Sequence, residues 1–374
     1  MLEDPQDTRG DLTRAAAAVF DNPARPAYQS AAMERITIGI VGGGMFGAKH
    51  VDAFRAHGRA RVKWMCDRSA ELHQQWGRDA RVERATLDFH EVLSDPEVDA
   101  VVVATPPGTH AELALAALRA GKHLLLEKPM AISRAEAAAV LEEAGRRPGQ
   151  VVLEASCRHT RLQPKFGFVK AIVDSGRLGD VYHLHHVMLS PETFLDWNPR
   201  ARWAMEKRLA GGGPVFDWGE YDLSFLLGIV GDAPALRSVA AFHQGGLRSA
   251  SGDVEQHAAA FLAFDRGLTV AYERGAGVHA EAKSETRVHG TRGGLRLSYP
   301  SWESPELELF EEGPDGKPRR EVLTVDMSAH GGDDNAPLVA HFLDCVQGRA
   351  APAMPPALAF KHLDVLLRIL EAQG

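Results

Sequence analysis

The chain has 374 residues, 45% of them hydrophobic and 25% charged, with a formal net charge of −8. That length carries more core than one small domain needs, so two domains are the default. An acidic chain without a basic stripe is a poor fit to nucleic acid or an anionic membrane, and no apolar run approaches the roughly 18 residues of a membrane-spanning helix. Cys66, Cys157 and Cys345 lie far apart. Such a sparse, odd set predicts reduced thiols in a cytoplasmic protein, not a disulfide framework or a metal site.

Residues 1–34 stand apart, with a short helix candidate at Leu12–Phe20. They lack the basic start and apolar core of a signal peptide. Two readings remain: a flexible or partner-wrapping arm, or a true start at Met33, directly before the first strand. From there, Ile36–Val41 reads as a buried strand, followed by the turn Gly42–Gly47 and a helix over Phe46–His57. Strands at Val62–Cys66, Asp99–Ala104, His123–Leu126 and Gln150–Ala155 alternate with helices at His110–Ala120 and from an N-cap at Ser133 to Gly145. The alternation predicts parallel βαβ units, hence a doubly wound dinucleotide-binding domain over residues 35–155.

The period then changes. After a helix at Pro164–Ser175, strand signals dominate: Ala259–Phe264 and Leu268–Glu273 around the hairpin loop Asp265-Arg266-Gly267, then Thr286–His289, Leu295–Ser298, Leu307–Phe310 and Glu321–Val325. Helices near Ala336–Gln347 and Ala357–Ala372 close the chain. Residues 156–374 are therefore expected to form an α+β domain with a large, mostly antiparallel open sheet, for substrate binding and oligomerisation.

The spacing Gly42-x-Gly44-x-x-Gly47 is the dinucleotide fingerprint: a tight turn, a close approach to pyrophosphate, close helix–strand packing, and a helix N-terminus aimed at negative charge. Met45 and Phe46 lie within it. Asp67, about 20 residues on, ends the next strand where an acid accepts hydrogen bonds from the adenosine ribose. A carboxylate there favours NAD over NADP, although the adjacent Arg68 suits adenine or a 2′-phosphate. Thr105 and Pro106, with His110, sit where the third strand ends, at the carboxyl edge that binds ligands in this architecture. Glu127-Lys128-Pro129 ends the fourth strand at the same edge and points a lysine at the cofactor. Pro129 is a candidate for a preceding cis peptide.

Together these stretches resemble the Gfo/Idh/MocA oxidoreductase family. The residues that carry the likeness are Gly42–Gly47, Ala104-Thr105-Pro106-Pro107 with His110, Glu127-Lys128-Pro129, Arg161-Leu162-Gln163-Pro164, Ser175-Gly176-Arg177-Leu178-Gly179 and Gly211-Gly212-Gly213-Pro214-Val215-Phe216-Asp217. The resemblance spans about residues 36–374. It implies a nicotinamide cofactor and mostly sugar or polyol substrates, with Lys128 and Asp217 as catalytic positions. Where many members carry a histidine base, four residues beyond that aspartate, this chain has Tyr221.

Asp217 and Tyr221 share a helix face at a spacing of four. A phenol with an ordinary pKa near 10 needs a cation to act as a base near neutrality, and Lys128 is expected to supply it. The expected chemistry is hydride transfer from a carbinol to nicotinamide, with Tyr221 taking the hydroxyl proton and Asp217 orienting the substrate. Arg161 is expected to contact substrate or hold the domain interface, and Trp203 to line a sugar pocket. His183 and His185 share a strand face but lack a third ligand, so no metal is expected. The competing functions are a cofactor-recycling epimerase or glycosidic-bond lyase or hydrolase, and a non-catalytic NAD(P)-binding regulator. A second subunit over the open sheet, as a homodimer or homotetramer, is expected.

Overall fold

The computed structural model describes residues 35–247, 252–279, 281–299, 304–328 and 333–372. The N-terminal arm and its helix candidate lie outside them.

The first sheet is parallel, with strand order β3-β2-β1-β4-β5-β6. Its strands are β1 (Ile36–Val41), β2 (Ala60–Cys66), β3 (Arg84–Thr86), β4 (Ala100–Val103), β5 (His123–Leu126) and β6 (Val152–Glu154). Every residue of β1 and β4 is buried, as expected of strands covered on both faces. The crossovers carry α1 (Met45–Ala56), α2 (Ala70–Trp76), α3 (Phe89–Ser94), α4 (His110–Arg119) and α5 (Arg134–Gly145). Strand order reverses between β1 and β4, so the loops after these two strands open a crevice. Those loops hold Gly42–Gly47 and Thr105–His110. Ser133 caps α5, its hydroxyl accepting from the Glu136 amide at 3.3 Å, while the Glu136 carboxylate reaches back to the Ile132 amide.

After α6 (Pro164–Asp174) comes the second sheet. It comprises β7 (Val181–Ser190), β8 (Leu236–Gly245), β9 (Glu255–Phe264), β10 (Thr269–Ala276), β11 (Lys283–Gly290), β12 (Gly293–Leu297), β13 (Glu306–Glu312) and β14 (Pro318–Thr324). The order is β14-β13-β12-β11-β7-β10-β9-β8, antiparallel except for the β7–β10 pair. Register explains its two faces. The paired row Ala241, Ala260, Tyr272, His186, Thr286, Leu297, Leu307, Leu323 is buried throughout. One residue over, the row Ala240, Phe261, Ala271, His185, Arg287, Arg296, Glu308, Val322 forms the other face, apolar at one end and charged at the other.

Between β7 and β8 lie the single turns α7 (Phe194–Trp197) and α8 (Lys207–Ala210), then α9 (Pro214–Ile229). The last, buried nearly all round, is the helix through the centre of the second half. The final helices, α10 (Asn335–Val346) and α11 (Pro356–Glu371), return to the first sheet's helices. Phe342 meets Phe54 of α1 edge to face at 6.3 Å, Asp344 pairs with Arg59 at 2.6 Å, and Asp364 pairs with Arg134 of α5 at 2.5 Å.

Candidate active site

The glycine turn is built as its spacing predicts. Gly42 has φ +102°, and a Cβ there would strike the Ala104 carbonyl; a Cβ on Gly47 would lie 1.9 Å from the Gly42 oxygen. Gly44 is exposed, with no atom within 4 Å of where its Cβ would stand. Helix α1 has no side-chain cap and no acid in its first turn. An open, uncapped helix start fits an anionic pyrophosphate. Asp67 accepts from the Gly43 amide at 2.7 Å and the Ser69 amide at 2.8 Å, and a carboxylate so held keeps lone pairs for ribose hydroxyls. It does not cap α2, which Ser69 does. Arg68 is exposed beside it, Met45 is 37% exposed, and the Phe46 ring lies between Lys49 and Arg158 at 5.3 and 5.0 Å.

Two of the expected cofactor residues turn their side chains inward. His110 is fully buried, its ring nitrogens 2.7 Å from the carbonyls of Pro129 and Thr105, so it ties two edge loops together from behind. The Glu127 carboxylate is likewise turned inward, to His50 at 2.8 Å and Arg158 at 2.6 Å. Burial alone would raise it, but Arg158 and His50 hold it well below the usual carboxylate range. Thr105 accepts from the Thr109 hydroxyl at 2.8 Å, and Pro106 stays half-buried at the edge.

Lys128 follows a β5 that ends in the buried Leu126, and the Lys128–Pro129 peptide is cis. Its ammonium donates to the Asp217 carboxylate and, at 2.7 Å, to the Asp217 carbonyl. It also lies over the rings of Tyr221 and Trp218, at 4.9 and 5.7 Å. Asp217 and Trp218 open α9. The triple glycine before them serves a packing need in this fold: a Cβ on Gly213 would lie 1.8 Å from the Glu255 carbonyl. Across that contact the Glu255 carboxylate caps α9, accepting from Gly213 and Phe216 at 2.7 and 3.2 Å.

Tyr221 departs from expectation. Its hydroxyl accepts from Arg158 at 2.5 Å and is not aimed at Lys128, which faces the ring. Burial pushes the phenol well above its ordinary pKa; Arg158 opposes, and Glu127 and Asp217 add to the rise. The cation at the phenol oxygen is thus Arg158 and not the expected Lys128. Arg161 takes a structural partner. It grips Asp232 with two bonds, at 2.7 and 2.6 Å, and reaches Ser224 at 3.2 Å, holding the segment after α9 in place rather than facing substrate.

Beside Asp217 opens a cavity of about 340 Å³. Phe194, Trp197, Trp203 and Trp218 line it, with Arg274 and the edge-loop residue Pro107. The aromatic rings meet edge to face at 6.0–6.5 Å. A larger groove of about 540 Å³ lies at the charged end of the second sheet and holds none of these groups. Among the described residues no group of three or more His, Cys, Asp or Glu is placed to hold a metal, and no helix is long and apolar enough to cross a membrane.

Arg158, His159, Asp334 and Asn335 were not singled out from sequence, although all four converge here. Arg158 donates to the Asn335 side chain at 3.1 Å, and His159 Nδ1 lies 2.5 Å from Asp334. Arg158 and His159 follow the last parallel strand, so the carboxyl-edge rule could have found them. Asp334 and Asn335 carry no local signal.

A family model described as "Oxidoreductase family, NAD-binding Rossmann fold" matches residues 36–155, and one described as "GFO/IDH/MocA C-terminal domain" matches residues 166–296. The chain is 24% identical over 326 residues to levoglucosan dehydrogenase of Pseudarthrobacter phenanthrenivorans, covering 80% of this chain and 83% of the relative. It is 31% identical over 248 residues to 1,5-anhydro-D-fructose reductase of Ensifer adhaerens, covering 66% and 70%. Myo-inositol 2-dehydrogenase of Thermotoga maritima is 26% identical over 283 residues, covering 70% and 81%. Among solved structures, levoglucosan dehydrogenase in complex with NADH superposes with a TM-score of 0.79 at 21% identity, over 91% of this chain and 97% of that one.

Proposed function

The chain belongs to the Gfo/Idh/MocA oxidoreductase family, with its NAD-binding Rossmann domain, and from that premise we propose that it transfers hydride between nicotinamide and a secondary alcohol or ketone of a sugar, cyclic polyol or sugar derivative. What carries the proposal is the ion pair between Lys128, at the carboxyl edge of the parallel sheet, and Asp217, which lines an aromatic cavity. Bound NAD supplies a hydride acceptor. The chain's own residues do the rest. Gly44 and the start of α1 receive the pyrophosphate, and Asp67 the ribose. Lys128, its ammonium held by Asp217, binds the reacting oxygen. Asp217 holds a neighbouring hydroxyl, and the Trp203 and Trp218 rings pack against the sugar's apolar faces. Residues 35–155 are the proposed cofactor domain, and 156–374 the substrate and oligomerisation domain. We also propose a cytoplasmic location, in keeping with three free, buried cysteines, and self-association through the open face of the second sheet.

The experiment is a panel of levoglucosan, 1,5-anhydro-D-fructose, myo-inositol and amino sugars, with NAD and NADP compared and nicotinamide absorbance followed. Lys128→Met is expected to lower kcat by about 10²–10⁴-fold with NAD affinity retained. Full activity of that variant rejects the reading. Product formation without net NADH points instead to a cofactor-recycling reaction.

A further inference from the structure

The inner side of the glycine turn is tied to β2 and to the helix that follows it. The Gly42 amide donates to the Cys66 carbonyl at 2.8 Å, and the Gly43 amide donates to Asp67 at 2.7 Å. The Gly43 carbonyl accepts from the indole Nε1 of Trp76, the last residue of α2, at 2.9 Å. Trp76 is 2% exposed, and its ring packs so closely under the turn that a Cβ on Gly43 would lie 2.6 Å from Nε1. An indole N–H only donates, so it fixes which way this peptide faces. In a trans peptide the carbonyl and the next N–H point in opposite directions. The only cis peptide among the described residues is Lys128–Pro129, so the Gly43–Gly44 unit is trans. With its carbonyl drawn inward to Trp76, the Gly44 N–H points outward, at the exposed and uncapped start of α1. Without such a hold a Gly–Gly peptide turns over at little cost, since neither residue has a Cβ to oppose it.

We propose that Trp76 is a positioning residue for the cofactor: it holds the Gly43 carbonyl inward and so keeps the Gly44 amide presented to the pyrophosphate. This rests on the pyrophosphate placement above and not on the choice of substrate. The task needs the N–H and not only the ring. Trp64 supplies the comparison within the same domain. It is 7% exposed, and its Nε1 donates at 2.7 Å to Asp95, the residue after α3, and not to the turn. A purely structural role makes the two indoles equivalent, whereas a positioning role makes Trp76 alone matter to NAD. Positioning also couples the two ends of one peptide. A pyrophosphate oxygen that accepts from the Gly44 N–H polarises the Gly43–Gly44 amide, and a polarised carbonyl accepts more strongly from Trp76.

The test is calorimetric NADH binding to the full chain. Trp76→Phe keeps a buried ring and loses the donor, and it is expected to weaken NADH by about 3–10-fold, the factor for one neutral hydrogen bond. Trp64→Phe should leave the affinity unchanged. With whichever panel member turns over, Trp76→Phe should raise KM for NAD and keep kcat at saturation, as expected of lost uniform binding. Unchanged NADH affinity in Trp76→Phe, or an equal loss in Trp64→Phe, overturns the proposal. If Gly44→Ala also leaves the affinity unchanged, the pyrophosphate placement falls with it; if Gly44→Ala weakens binding and Trp76→Phe does not, that placement stands without Trp76. Should Trp76→Phe not fold, nuclear magnetic resonance of the isotope-labelled parent chain decides, with its indole N–H signals assigned by substituting the other tryptophans one at a time. On adding NADH the Trp76 signal should move downfield while the Trp64 signal stays in place. A Trp76 signal that does not move overturns the proposal.

Discussion

The guanidinium of Arg158 lies between the Glu127 carboxylate and the Tyr221 hydroxyl, fully inside the protein. A charge buried this deeply persists only because it is paired and hydrogen-bonded, and Glu127 and Tyr221 supply those partners. The sequence placed Glu127 at the carboxyl edge and Tyr221 on the helix face of Asp217, but position alone does not say which way a side chain turns. The places of Asp217 and Trp203, which line the cavity, and of Lys128, which pairs with Asp217, were legible because loop position and pattern suffice for residues at a strand end or a helix start. The inward turns of Glu127, His110 and Arg161 were not legible because their partners are His50, the Pro129 carbonyl and Asp232, none of them close in sequence. A second buried cluster has a consequence for stability. Glu154 and Glu220 are fully buried, and Glu154 Oε1 and both Glu220 oxygens have no hydrogen-bond partner among the described residues. Burial pushes Glu154 up to about 7, against its hydrogen bonds from Ser156, and pushes Glu220 well above its ordinary value, with Glu154 adding. The native state keeps a proton that the unfolded chain releases above about 4.5, so stability falls as pH rises from there to about 7. The loss is on the order of 3 kcal/mol. Melting temperatures across that window should show the slope, and Glu154→Gln should flatten it.

At the scale of elements, long periodic segments read well: β1, β5, α4 and α5 lie within a residue or two of their expected bounds. The short pieces α2, β3 and α3 were missed because so few residues show no period, and β8 because its exposed positions blur the alternation. Glycines separate two kinds of requirement. Gly47→Ala forces a Cβ into the Gly42 carbonyl, a strain of about 1–3 kcal/mol. It should lower the melting temperature as well as NAD affinity. Gly44→Ala meets no neighbouring atom within 4 Å among the described residues outside its own turn. It should leave the melting temperature unchanged while weakening NAD in a fluorescence titration by roughly tenfold or more, about 1.4 kcal/mol per power of ten. Unchanged affinity in Gly44→Ala would remove Gly44 from the cofactor site.

For the whole molecule, the second sheet leaves Phe242 and Phe261 68% and 52% exposed on its open face. Apolar patches of this kind mark contact surfaces, and sheet-face alternation made the open side foreseeable from sequence. The double variant Phe242→Arg, Phe261→Arg should sediment as a monomer with its fold intact. A monomeric parent chain, or a variant that still associates, rules out that face.

The closure of the site from the far end of the chain also sets an order of events in time. Arg158 meets Asn335 across 177 residues, and Arg59 meets Asp344 across 285. Contacts so distant along the chain are slow to form, because a long loop must close before they contribute. The glycine turn and Asp67 lie only 24 residues apart and can assemble early. On dilution from denaturant, NADH binding should therefore return before turnover, with a lag during which the protein holds cofactor but cannot use it. Recovery of both at one rate would mean that the two halves fold as a single unit.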